Sequence, residues 1–160
     1  INSPKSVIAQ NQWGWPIRPA VLIQGFSPPE KPWMPGHRGV DLRASVGQPV
    51  YSAGTGWVTF AGQVAGRGVV VIAHTIQTST YSGVIRTTYE PLRPAVNVGD
   101  DVQTGDLIGH IAGGVSHCAI PRSTRCLHWG LRLSQPGQTF RYGNPLLLVG
   151  RVRLLPMPSQ

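Results

Sequence analysis

Glycine and proline interrupt this chain so often that no long helix fits between them. Gly supplies 20 and Pro 15 of its 160 residues. From residue 37 onward the interruptions cluster as turns: Val46-Gly47-Gln48-Pro49, Gly54-Thr55-Gly56, Ala65-Gly66-Arg67-Gly68 and Val98-Gly99-Asp100-Asp101. Short apolar segments lie between them, which predicts strands at 49–53, 56–61, 68–73, 84–90, 107–112 and 125–133. A helical bundle or coiled coil would need many more charged and Ala residues than a chain with 12% charge carries. The expected fold class is all-β: a compact antiparallel sheet or sandwich. At 160 residues the chain is long enough for one domain to bury a core without staples.

Residues 1–35 read differently. Gln12-Trp13-Gly14-Trp15-Pro16 and the run from Ser27 to Pro35 are too proline-rich for regular structure. Three tryptophans in this stretch argue for an irregular arm anchored on the domain by aromatic burial, with a short strand near 20–26. The expected organisation is therefore an arm at 1–35, a domain at 36–150 and a peripheral tail at 151–160, where Pro156 and Pro158 end any strand. The chain begins at Ile1 with no leader pattern, which reads as a mature or trimmed fragment. No apolar run is long enough to span a membrane as a helix.

The net charge is +8, and 12 of the 14 basic residues are Arg. Such a surface favours anionic partners: nucleic acid, anionic lipid or an acidic wall polymer. A nucleic-acid platform would interleave aromatic residues with Arg along one strand, and that pattern is missing. The segments Val46-Gly47-x-x-Val50 and Val98-Gly99-x-x-Val102 form a faint internal repeat like that of biotinyl and lipoyl carriers. A carrier role is excluded, because no Lys follows Lys31. Cys118 and Cys126 are the only cysteines, with seven residues between them in a Pro/Arg/Ser-rich stretch. That context suits a disulfide in an oxidising compartment; two free thiols in a cytosolic protein is the rival reading.

Two segments carry chemistry. In Gly36-His37-Arg38-Gly39-Val40-Asp41 an imidazole and a carboxylate stand four residues apart in an extended or turning backbone, where both can reach one metal. In Cys126-Leu127-His128-Trp129-Gly130-Leu131-Arg132-Leu133 the apolar residues alternate cleanly toward a core. His128 is left on the polar face. A His-Asp-His set would leave a fourth coordination position open, as catalytic zinc sites do.

At this point the order of motifs resembles peptidase family M23, the LytM or lysostaphin type, and its actinobacterial branch in particular. The resemblance runs from about residue 36 to 148. It is carried by Gly36-His37-Arg38-Gly39-Val40-Asp41, Pro49-Val50-Tyr51-Ser52-Ala53, Val70-Val71-Ile72-Ala73-His74, the stretch from Val96 to Gly109, and Cys126-Leu127-His128-Trp129-Gly130. It implies zinc held by His37, Asp41 and His128, peptidoglycan as substrate, and a secreted or envelope location. The family also places two non-ligand histidines by the metal. Their positions are taken here by Pro91 and Cys126, and losing one such acid–base group costs about 10²–10⁴-fold in rate.

Glu90 and His117 are the candidate substitutes; Glu90 would need a twist or bulge to face the cleft. Arg132 shares the face of His128 and is a candidate for binding a substrate carboxylate. His74 and His110 read as structural. The expectation is a wall-directed domain with a zinc site and weak or absent hydrolysis, binding peptidoglycan or another anionic wall polymer, or acting on a wall hydrolase or envelope protein. The alternative is an active zinc metalloendopeptidase that cleaves peptidoglycan peptide cross-links. Nucleic acid is the disfavoured partner.

Overall fold

A computed structural model describes residues 12–80, 82–114, 118, 125–135 and 138–150. Among these, eleven strands and one short helical turn appear: β1 Leu22–Gln24, β2 Gly39–Ala44, β3 Pro49–Tyr51, β4 Gly56–Val64, β5 Arg67–Gln77, β6 Ser82–Glu90, β7 Leu92–Pro94, β8 Asp101–Val102, β9 Leu107–Ile111, β10 Arg125–Gln135, β11 Gln138–Gly143 and α1 Leu146–Val149. The pairings are antiparallel. A large sheet runs β1-β2-β10-β6-β5-β4-β8, with β11 added to β10, and a small sheet runs β3-β9-β7. The all-β expectation is met.

The core draws on both sheets. Val40, Leu42, Val70, Ile72, Tyr89, Leu127 and Trp129 come from the large one, and Val50, Leu92, Ile108 and Ile111 from the small one. In β10, Leu127, Trp129 and Leu131 are buried while His128 and Arg132 are partly exposed, as the alternation requires. In β5, residues 68–74 are buried on both faces, which suits the near-continuous apolar run of a central strand.

The sequence repeat proves to be a repeated turn. Gly47 and Gly99 both take positive φ, at 83° and 95°. The side chain that follows each one closes the turn: Gln48 Oε1 accepts from the Ser45 amide at 2.9 Å, and Asp100 Oδ2 from the Asn97 amide at 2.8 Å. Val50 and Val102 then enter the core. Each copy thus delivers a strand whose second residue, a valine, points inward.

Trp13, Trp15 and Ile17 tie the N-terminal arm to the core, but Trp33, expected to anchor it too, is 78% exposed. Ile17 is fully buried. Trp15 packs at a tilt on Trp129 with centroids 6.1 Å apart, and Trp13 meets His74 edge-on at 4.9 Å. Gly54 is what lets Trp13 in, since a Cβ there would collide with the indole.

Beneath Trp13 a buried chain of hydrogen bonds ties strands together. His74 Nδ1 lies 2.9 Å from the Thr55 carbonyl, so it carries the proton. Nε2 then accepts from the Thr87 hydroxyl at 2.7 Å. Thr87 in turn accepts from the Tyr89 hydroxyl at 2.8 Å, and Tyr89 accepts from the Ala53 amide at 3.0 Å. Every proton in the chain has one direction. Burial pushes the His74 pKa from 6.5 down to about 4, against a smaller opposing pull from the Thr55 hydrogen bond. His74 is a structural histidine, as its place in the sequence suggested, although β5 continues past it to Gln77.

Candidate metal centre

The site is built where β2 and β10 pair. Asp41 lies opposite His128 in that register, and on the other side His128 lies opposite Glu90 of β6. In-register residues on neighbouring strands share a face, so Asp41, His128 and Glu90 all project away from the core. His37 precedes β2 and turns back toward the same point.

The three side chains converge closely. Ligand atoms of His37, Asp41 and His128 all lie within 4.8 Å of one another. His37 Nε2 is 3.2 Å and His128 Nδ1 2.9 Å from Asp41 Oδ1. The carboxylate side chain is 2% exposed, while the two imidazoles are 14% and 17% exposed, so one edge of the cluster is open to a ligand. Gly39 makes the approach possible. A Cβ there would stand 2.7 Å from His128 Nε2 and 2.6 Å from the Trp129 carbonyl oxygen.

The arm orients the first of these residues. His37 pairs with Ser27 through two backbone hydrogen bonds of 2.7 and 2.9 Å. Its Nδ1 donates to the Gly25 carbonyl at 2.7 Å. That bond fixes the tautomer and leaves a lone pair on Nε2, the usual outer contact of a metal-binding histidine. Nε2 is buried, makes no hydrogen bond, and faces a carboxylate oxygen. A lone pair set against a carboxylate is repulsive unless a cation lies between them. The donor set, two imidazole nitrogens and one carboxylate, suits zinc. The residues present therefore fit a zinc ion. Gly25 and Ser27 were missed by sequence reasoning, because they act through backbone atoms that carry no residue-type signal.

The remaining candidate positions fall as follows. Cys126 is bonded to Cys118, with Cα atoms 6.1 Å apart, so the disulfide expected from the loop context is present. Pro91 directly follows β6 and offers no titratable group. Glu90 needs no bulge: its register with His128 already sets it on the site face. Its carboxylate pairs with Arg67 at 3.6 Å and is not one of the three clustered ligand groups. Arg132 lies on the same face, four residues and about 13 Å along β10 from His128, stacked on Phe140 at 4.8 Å. His117 lies outside the described residues. His110 sits on β9 of the small sheet, away from the cluster.

Comparison with known proteins agrees with this arrangement. Residues 35–140 match the model of peptidase family M23. The chain belongs to that family. Uncharacterized proteins of Mycobacterium tuberculosis and Mycobacterium bovis are 41% identical over 150 residues, covering 92% of this chain and 56% of theirs. The chain thus spans about half the length of the curated relatives it matches. Among solved structures, the antimicrobial peptidase lysostaphin from Staphylococcus simulans superimposes with a TM-score of 0.65 at 19% identity, over 97% of this chain and 59% of that one. A zinc-containing peptidase from Vibrio cholerae gives a TM-score of 0.55 at 27% identity, over 75% and 36%. M23 peptidases are zinc metalloenzymes of the cell wall, and the His-Asp-His cluster is where this M23 chain gathers metal-binding side chains.

Proposed function

We propose that this M23 domain holds one zinc ion through His37 Nε2, the Asp41 carboxylate and His128 Nδ1, and engages peptidoglycan peptides at the cell envelope with little or no hydrolysis. The observation that carries the reading is the closed sulfur of Cys126, two residues before His128 on the same strand face. A disulfide sulfur neither takes up a proton at neutral pH nor acts as a thiolate ligand. Pro91, the other position where the family keeps an imidazole, has no proton to give or take. A zinc ion bound here would polarise a peptide carbonyl as a Lewis acid. The chain's own residues would hold and orient it, while the proton transfers that complete hydrolysis lack both usual groups. The basic surface suits retention on an anionic wall, with a wall hydrolase or envelope protein as the partner that such binding would regulate.

A second reading is an active metalloendopeptidase in which Glu90 is the general base. Its register with His128 favours this, because a carboxylate on the site face is a workable base once released from Arg67. Zinc per chain, peptidoglycan pull-down and release of soluble peptides separate the readings. About one zinc, lost in His128→Ala, together with wall binding and no released fragments supports the first. Fragment release abolished by Glu90→Gln establishes the second. A protein that takes up no zinc even after loading overturns both.

A further inference from the structure

Beyond the metal cluster, the same face of the large sheet continues into a cleft of about 760 Å³. One wall is the proline-rich loop from Pro28 to Pro32, and the other is β11, with Phe140, Arg141 and Tyr142. Arg38, the neighbour of His37, lines it as well. The volume is that of a ligand pocket rather than a packing fault.

Of the polar side chains that line the cleft, Arg38 and Arg141 are cationic, beside Glu30, Thr139 and Tyr142, and the Arg38 guanidinium is held over an aromatic ring. The Arg38 guanidinium sits 5.7 Å over Tyr142 and fixes one corner on the Pro32 carbonyl at 2.8 Å. Arg132 is not one of the lining residues; it supports the wall from beside it, with its guanidinium 4.8 Å over Phe140, which itself meets Tyr142 edge-on at 5.4 Å. Arg132 pairs across the strands with Arg86, placing like charges opposite each other, an arrangement that disfavours the empty sheet. Arg132 Nε is buried with no hydrogen-bond partner. Among the described residues, no carboxylate pairs with Arg38, Arg86 or Arg132; Glu30 is the one acidic residue on the cleft wall. A guanidinium stacked on a ring keeps its N–H edge free and pre-set for a planar, two-oxygen acceptor.

We propose that this cleft binds a free carboxylate of a peptide laid across the His37–Asp41–His128 cluster. The inference rests on the wall-peptide reading above and specifies the chemistry that reading leaves open. A peptide fits better than a phosphate polymer for two reasons. The proline and aromatic walls offer apolar contact that a polyphosphate chain does not use, and Glu30 opposes a dense run of negative charge.

The test uses the labelled, C-terminally amidated peptide Ala-Glu-Ala-Glu-Ala and its amidated twin with Gln for each Glu, titrated by fluorescence anisotropy at low salt against the 160-residue protein. The acidic peptide should bind about tenfold more tightly than its twin, the lower range of what a charge-assisted hydrogen bond contributes. Arg141→Gln and Arg38→Gln, the two arginines that line the cleft, should each lose about tenfold for the acidic peptide and leave the Gln twin unchanged. Arg93→Gln, an exposed charge on β7 of the small sheet, should change binding less than about twofold.

Equal binding of the two peptides overturns the proposal. So does an Arg93→Gln loss as large as the others, since net charge would then explain everything. A glycerol-phosphate oligomer that displaces the peptide at lower concentration also overturns it and makes phosphate the ligand. Repeating the titration after chelation separates this idea from the metal reading. Discrimination between the peptides that persists in a protein unable to take up zinc supports the cleft while removing the metal.

Discussion

Acidification should weaken the fold through His74 between about pH 6.5 and about pH 4. The imidazole is buried and neutral in the native state, and its pKa there is about 4 against 6.5 for an ordinary histidine. Within that window the unfolded chain binds a proton that the folded chain refuses. Stability therefore rises with pH across the window: it is complete above about 6.5 and is lost as the pH falls toward 4. The shift corresponds to about 3 kcal/mol, a large part of the stability of a typical domain. Burial, which strips water from the charged form, accounts for the refusal, and the hydrogen-bond chain adds a rearrangement to it. A second proton would turn Nε2 from acceptor to donor, against a Thr87 hydroxyl that already accepts from Tyr89. Urea unfolding in chelator-containing buffers, from about pH 7.5 to about pH 4.5, would be compared for the native protein and His74→Gln. Surface carboxylates titrate in both, so the difference between the two curves isolates the imidazole. That difference should change by about 2–3 kcal/mol across the range, with the native protein losing more on acidification. Parallel curves, within about 0.5 kcal/mol, would refute the reasoning and mean that the fold does not depress the His74 pKa.

Three further outcomes are expected. Gly39→Ala should destabilise the domain by about 1–3 kcal/mol in thermal unfolding and lower zinc uptake with it, because its Cβ would press on both His128 and the Trp129 carbonyl. Replacing Cys118 and Cys126 together by Ser should cost about 2–3 kcal/mol in chemical denaturation, as expected for a cross-link closing so short a loop. Trp13→Ala should cost about 2 kcal/mol, less than a fully buried tryptophan, and raise the His74 pKa, read by NMR titration, as water reaches the ring it covers.

Long strands were legible in the sequence because alternation needs length to show itself. Leu127, Trp129, Leu131 and His128 announced β10 and the orientation of its two faces. β7 and β8 have three and two residues and carry no periodicity, so their place became visible only through their partners. β2 hid behind its glycines, which read as turn residues although Gly39 is a strand residue giving room to His128. β11 had a signal that went unused: Phe140 and Tyr142 alternate with polar neighbours just after a Pro136-Gly137 dipeptide. At the site, residue types located His37, Asp41 and His128, but Glu90 was assigned the wrong face. Alternation sets it opposite Tyr89 and Pro91, and the register shows that Tyr89 pairs with core-facing Trp129, so Glu90 shares the face of His128. The contacts to Gly25 and Ser27 depend on backbone geometry, which no side-chain pattern encodes.

Asp41 and His128 meet across a sequence distance of 87 residues. An unfolded chain offers only His37 and Asp41 as neighbours, a pair too sparse to retain zinc. The third group arrives when β10 closes onto β2. On the zinc reading proposed above, only molecules that have brought β10 onto β2 would hold the ion, so zinc content would count folded molecules.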